Sequence, residues 1–380
     1  MINKTKKVAA LFASLLILTS ALTGLFNVSG GAAGEPAGGS LFASIYIDDF
    51  GFGTPAASKN INSIKLYPGG MPFGVKFFTD GVVVVGFCDI NNGTGAQNPA
   101  YSAGIRVKDI ITAINGDELL CAAQLTATIE KSGGKPVTLT YMRDSREYTV
   151  TLTPVYSEAD GRYKTGIWVR DSGAGIGTVT FIVPSDYSFA GLGHGICDSE
   201  TGELIPMQRG IVTAVTISGL TRGLPGDPGE IKGYFSSGKC GTLLGNTEHG
   251  VYGVFNELPK SIPEDPLPAA SKCQVKEGEA YIWCTLDTNS VSKYTVEISA
   301  INTGSDSNKC FTITVTDPAL LEKTGGIIQG MSGSPIIQNG RIIGAVTHVL
   351  INDPTRGYGI FIENMLDNMP DLLKQSYVEE

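Results

Sequence analysis

The stretch GGIIQGMSGSPIIQNGRIIGAVTHVLINDPTRGYGIFIEN, Gly325–Asn364, decides how the chain is read. Asn339-Gly340 lies between two apolar runs, Pro335–Gln338 and Arg341–Val346. Asn-Gly tolerates positive φ at both central positions of a two-residue loop, so the spacing predicts a tight β-hairpin. Ahead of it, Ile327-Ile328 enters a turn of small residues, Gly330-Met331-Ser332-Gly333-Ser334-Pro335. Gly330 and Gly333 bracket Ser332 and let the backbone bend sharply. Such a bend exposes the hydroxyl and lets backbone N–H groups converge on one point. In an acyl-transfer enzyme those donors, from Gly330 and Ser332, would hold the oxyanion as charge develops. A plain Gly/Ser turn between strands would use the same residue types. The following hairpin and the tail GYGIFIENML weigh against that reading.

The turn resembles the nucleophile turn of chymotrypsin-like serine proteases, with Met331 where that superfamily usually has Asp. The tail resembles the last strands of the second barrel in such proteases. This chemistry needs an imidazole that takes the serine proton and returns it to the leaving amine. Three histidines occur in the chain, His194, His249 and His348. His194, set in GLGHG after a strand-rich stretch, is the candidate base; His249 in NTEHG and His348 behind Val346-Thr347 read as structural. The third triad member is open. Asp317 stands 15 residues before Ser332, where it orients the imidazole or caps a short helix starting at Pro318. Asp198 is the next candidate and Asp287 ranks behind it. A Ser/His dyad is the remaining alternative.

A chain of 380 residues can form two domains with substantial cores. Glycine is abundant, 49 residues, but shows no period of three, which excludes collagen. Low charge, 17% of residues, and many β-branched runs fit a turn-rich, mainly β protein. The net charge of −9 without a basic stripe argues against nucleic-acid binding. Seven cysteines, Cys88, Cys121, Cys197, Cys240, Cys273, Cys284 and Cys310, show no CxxC spacing. No metal site or cofactor is expected. Disulfide pairing stays open, and the odd count leaves at least one cysteine free or intermolecular. The absence of HExxH and of a compact His/Asp cluster disfavours a metal-dependent hydrolase.

At the amino end, Lys4, Lys6 and Lys7 precede the largely apolar run Val8–Phe26. Its length and basic flank predict a signal or membrane segment over residues 1–28, with the rest of the chain translocated. Residues 29–63 read as a linker, with the small-residue stretch Ser29–Ser40 as cleavage site or flexible spacer. Residues 64–156 follow the order of a PDZ domain. The motifs are Ala103-Gly104-Ile105 and then DIITAING, Asp109–Gly116, with a short helix at Gln124–Lys131 and closing strands at Pro136–Arg143 and Glu147–Pro154. By that resemblance Met71, Pro72, Phe73, Gly74 and Val75 form the carboxylate-binding loop, beside which a peptide strand adds. Short strands with turn signals over residues 160–380 predict two packed barrels.

The signatures Gly191–His194, Asn246–Gly250, Thr324–Ile337, Ala345–Val349 and Asn352–Pro354 together resemble the stage IV B sporulation peptidases of endospore-forming Firmicutes. That resemblance covers nearly the whole chain. It implies a fold that is mainly β, with an N-terminal membrane segment, a PDZ domain and a chymotrypsin/trypsin-like double β-barrel. It implies Ser332 as nucleophile, His194 as base and Asp317 as the acidic member. It further implies production in the forespore, membrane tethering or secretion, and action in the space between the two membranes. There the peptidase would cleave itself and then a membrane-bound inhibitory partner of an intramembrane protease, releasing pro-sigma-K processing. The PDZ domain would bind the chain's own amino-terminal region first and the partner afterwards. The alternative from another class is a non-catalytic PDZ scaffold whose peptidase-like domain only binds peptides.

Overall fold

The computed structural model describes residues 60–378, apart from 200, 263–264 and 288–289. The expected membrane segment lies outside them. Among the described residues no helix is long and apolar enough to cross a membrane.

The longer strands are, in chain order, β1 (Pro72–Phe87), β2 (Ile110–Ile114), β3 (Val137–Arg143) and β4 (Arg146–Leu152). Then follow β5 (Ile167–Ile182), β6 (Ser188–Gly191), β7 (Met207–Thr221), β8 (Glu230–Thr247) and β9 (Gly250–Phe255). Antiparallel pairing runs β1–β5–β6–β9–β8–β7 and returns to β1, which closes a barrel. A second closed barrel contains β10 (Gly278–Cys284), β11 (Ser292–Ser299), β12 (Phe311–Val315), β13 (Pro335–Gln338), β14 (Arg341–Leu350) and β15 (Asp353–Phe361). The β13–β14 hairpin forms as its sequence predicts, with Asn339 at φ 50° and Gly340 at φ 73°.

The PDZ module sits between β1 and β5 in the chain. Its core joins Val82 and Val84 of β1 to Ile111, Leu139, and Leu125 and Ile129 of helix α1 (Ala122–Lys131). Asn115-Gly116 turns with φ of 55° and 85°, and the Asn115 side chain accepts a bond from the Thr138 N–H.

The two long strands serve both units. The first half of β1 pairs with β5 and β7 in the barrel, whereas Val82 and Val83 pair with β2 in the PDZ sheet. Gly81, at φ +82°, marks the change; a Cβ there would lie 2.5 Å from the Ile111 carbonyl oxygen. The module therefore grows out of the barrel wall: residues 72–79 pair inside the barrel, whereas the module was expected to begin at residue 64.

The placement of Met71–Val75 also differs from the carboxylate-loop expectation. Met71, Phe73, Val75 and Phe77 alternate along the strand and are buried with Val179, Phe189, Val212 and Leu243. Gly74 and Val75 pair with Ile176 and Gly175 on one edge and with Thr213 and Val212 on the other. With both edges hydrogen-bonded, no further peptide strand can add there. The i, i+2 apolar spacing was the signal for a strand with one face in a core, not for the strands that pair on its two edges.

Candidate active site

The Ser332 turn is clamped between the two barrels. Met331 is fully buried in the core of the second barrel, which anchors the turn from beneath. From the first barrel, the Thr178 hydroxyl donates to the Gly330 carbonyl at 2.7 Å and the Thr178 N–H to the Ser332 carbonyl at 3.0 Å. The Thr180 hydroxyl donates to the Gly333 carbonyl at 2.8 Å. Gly333 has φ +94°, and a Cβ on it would fall 2.0 Å from the Thr178 carbonyl oxygen. Only glycine fits that position.

Two further bonds aim the free donors. The Gln329 carbonyl accepts from the Ile231 N–H at 2.8 Å, and the Met331 carbonyl from the Ser334 N–H at 2.9 Å. In a trans peptide C=O and N–H point in opposite directions. The Gly330 and Ser332 N–H groups are thereby turned away from those anchors, and among the described residues neither has a hydrogen-bond partner. Gly330 and Ser332 line a cleft of about 300 Å³ together with His194, Gly195, Ile196 and Leu192.

His194 reaches this cleft from the first barrel. Leu192 and Gly193 both adopt positive φ, 67° and 68°, directly after β6. Gly193 is packed too tightly for a side chain, since a Cβ would lie 2.9 Å from Thr347. The ring Nδ1 of His194 lies 2.8 Å from the Gly195 carbonyl oxygen. A carbonyl only accepts, so Nδ1 carries the proton and Nε2 keeps its lone pair, the form a general base requires. Burial holds this imidazole below the usual histidine value, with the Gly195 carbonyl opposing the shift. The Ser332 hydroxyl donates to the Thr347 carbonyl at 2.7 Å.

The other candidates lie elsewhere. Asp317 is the N-cap of α2 (Pro318–Thr324): one carboxylate oxygen accepts from the N–H groups of Ala319 and Leu320 and the other from Thr295. Asp198 is buried against the Arg170 guanidinium and also accepts from the Thr201 N–H. Asp287 pairs with Lys323 at the surface. Among the described residues, the one hydrogen bond of the His194 side chain is that to Gly195. His249 is engaged by the Asp306 carbonyl at 2.7 Å. His348 packs against His194, with ring centroids 4.9 Å apart. All seven cysteines are free thiols. Thr178, Thr180 and Thr347 were not singled out from the sequence. Alternating threonines beside GIGT offered a strand signal without a way to know which turn the strand faces.

A half-buried serine in a tight turn, an imidazole that keeps a lone pair on Nε2 and two unpartnered backbone donors, on a mainly β scaffold with a PDZ module, are the groups that serine peptidase chemistry requires. Residues 161–366, more than half of the chain, match the family model described as SpoIVB peptidase S55, and residues 70–153 match the PDZ domain model. The chain belongs to the SpoIVB peptidase S55 family. It is 39% identical over 57 residues to a probable periplasmic serine protease do/HhoA-like of Haemophilus influenzae, a match spanning 15% of this chain and 12% of that protein. Among solved structures, the PDZ domain of the SdrC-like protein from Listeria monocytogenes aligns with 24% of this chain and 87% of its own, at 18% identity and TM-score 0.20. The Rv3671c protease from M. tuberculosis, in its active form, aligns with 51% of this chain and 72% of its own, at 16% identity and TM-score 0.30.

Proposed function

We propose that the chain is a chymotrypsin-like double-barrel endopeptidase in which Ser332 is the nucleophile and His194 the general base. The observation that carries this is the shared cleft: His194 and Ser332 line it together, beside two N–H groups without partners. Ser332 Oγ rotates from the Thr347 carbonyl towards His194 Nε2 and gives up its proton as it attacks the scissile carbonyl. The Gly330 and Ser332 N–H groups then stabilise the oxyanion, and His194 returns the proton to the leaving amine.

The family's signalling role gives the finer reading. The peptidase, exported from the forespore and tethered by its amino-terminal segment, cleaves itself and then a membrane-bound inhibitory partner of an intramembrane protease, so that pro-sigma-K is processed. In this reading the PDZ module takes peptides in a cleft of about 410 Å³ between α1 and the start of β5, lined by Leu125, Ile129, Gly166, Ile167 and Trp168. One edge of Ile167–Arg170 pairs with β1, and no described strand pairs with the other, which faces α1. A peptide strand added there satisfies that edge.

Expression of the full chain beside Ser332→Ala, read by mass spectrometry of amino-terminal fragments, tests the function. Trimming before the PDZ module in the wild type alone is expected. Identical fragments from both would assign the cutting to a host protease and sink self-cleavage.

A further inference from the structure

Resting on the assignment of His194 as base, we propose that His348 is a positioning residue for His194, its ring packed against the ring of the base while the Gly195 carbonyl holds Nδ1. Three observations carry this. The two imidazoles pack with centroids 4.9 Å apart and planes tilted by 38°, within the usual range for interacting aromatic pairs. No described carboxylate bonds His194, because Asp317 caps α2 and the Nδ1 of His194 is held by its neighbour's carbonyl. Finally, Nδ1 of His348 is buried and has no hydrogen-bond partner.

The last observation separates His348 from a structural histidine. His249 shows what a structural one looks like here, with its ring nitrogen satisfied by the Asp306 carbonyl. A buried polar atom without a partner weakens the fold and calls for a reason outside stability. The backbone supplies one. His348 follows Thr347, whose carbonyl receives the Ser332 hydroxyl and whose own hydroxyl donates to the Asn308 carbonyl. The strand that parks the nucleophile therefore also carries the ring that packs on the base.

The role is restrictive and electrostatic. Gly195 fixes the His194 tautomer but not the tilt of its ring; the His348 face limits that tilt. When His194 becomes an imidazolium in the transition state, it does so against a neutral aromatic ring, an attractive arrangement for a cation. Neutrality is secured by burial first, and then by His194 and by Lys309, which together push the His348 pKa down to about 4. A ring charged at working pH would repel the imidazolium instead.

The test uses a fluorophosphonate, which needs only an activated serine. Oγ bonds to phosphorus, fluoride leaves, and the hydroxyl proton goes to His194. Labelling rates against pH are measured on the full chain for wild type, His348→Ala, His348→Phe, His194→Ala and Ser332→Ala, with a thermal melt of each. His348→Ala is expected to label about tenfold more slowly. Its acid limb should move up towards the ordinary histidine value, as water reaches His194. His348→Phe, which restores a ring, should recover most of the rate. If His348→Ala fails to melt like the wild type, His348→Gln, polar but without an aromatic ring, takes its place with the same expectation. A wild-type rate and pH profile in the ringless variant would overturn the proposal, and so would equal slowing by Phe and Ala. Labelling of His194→Ala at the wild-type rate would instead overturn the base assignment beneath it.

Discussion

The two barrels of this chain are built from very different kinds of sequence. The second is drawn from one continuous stretch, Gly278–Phe361, and its strands include hairpins closed by short turns. The first is assembled across an interruption: β1 and β5 pair along their length although the whole PDZ module separates them. Loop closure over such a distance costs chain entropy that local hairpins avoid. The first barrel offsets it by burying Phe73 and Phe189, fully enclosed side chains each worth about 1.5–3 kcal/mol. The proposed base and nucleophile come one from each: His194 follows β6 of the first barrel and Ser332 precedes β13 of the second. The proposal therefore places catalysis at the seam, and the seam is where the comparison can be broken.

The largest effect is expected from removing either half of that pair. Ser332→Ala and His194→Ala should each lower peptide cleavage by about a thousandfold or more, with melting temperatures close to wild type, measured on purified protein. The same pair sets the pH profile. His194 works only when neutral, and burial lowers its pKa from 6.5. Cleavage should therefore fall only as pH drops through a midpoint below that value. An acid limb above 6.5 would mean that burial does not dominate at the base.

Next in size is Gly333→Ala. A methyl group 2.0 Å from the Thr178 carbonyl, at a φ that L residues avoid, must push the turn off the first barrel. A loss of about 3 kcal/mol is expected, read by denaturant unfolding, together with loss of fluorophosphonate labelling. A smaller change at the same seam is Thr178→Val, which keeps the strand and deletes the hydroxyl bond to the Gly330 carbonyl. About 1 kcal/mol of stability should go. With the Ser332 turn less firmly held to the first barrel, kcat should fall while KM changes little.

The contrast between the barrels also explains what the sequence made legible. Asn339-Gly340, Asn115-Gly116 and the small-residue turn at Ser332 are local devices whose geometry follows from the residues themselves. Phe73 and Val75 carried an equally clear alternation, but alternation does not say which partners lie on the two edges. A PDZ-like order of motifs drew Met71–Val75 into the wrong sheet for that reason. The roles of Thr178, Thr180 and His348 had no local signal, since they come from a turn more than 150 residues away or from a ring on the other barrel.

Asp317 marks the limit of reading a role from spacing, and the smallest expected effect belongs to it. Its carboxylate accepts from Ala319 and Leu320 at the start of α2 and from Thr295 on the adjoining strand, which is the work of a helix cap. Asparagine caps a helix nearly as well as aspartate but carries no charge. Asp317→Asn should therefore leave cleavage within about twofold and stability within about 0.5 kcal/mol of wild type. An acidic residue orienting His194 behaves differently, because the amide swap leaves geometry intact and costs about ten-thousandfold in kcat. Asp317→Ala sharpens the contrast, since it should lose about 1 kcal/mol of stability through the missing cap and still cleave. If Asp317→Asn melts like the wild type but is inactive, the cap seen here is a resting arrangement, and the two barrels share a third catalytic group that must swing in from α2.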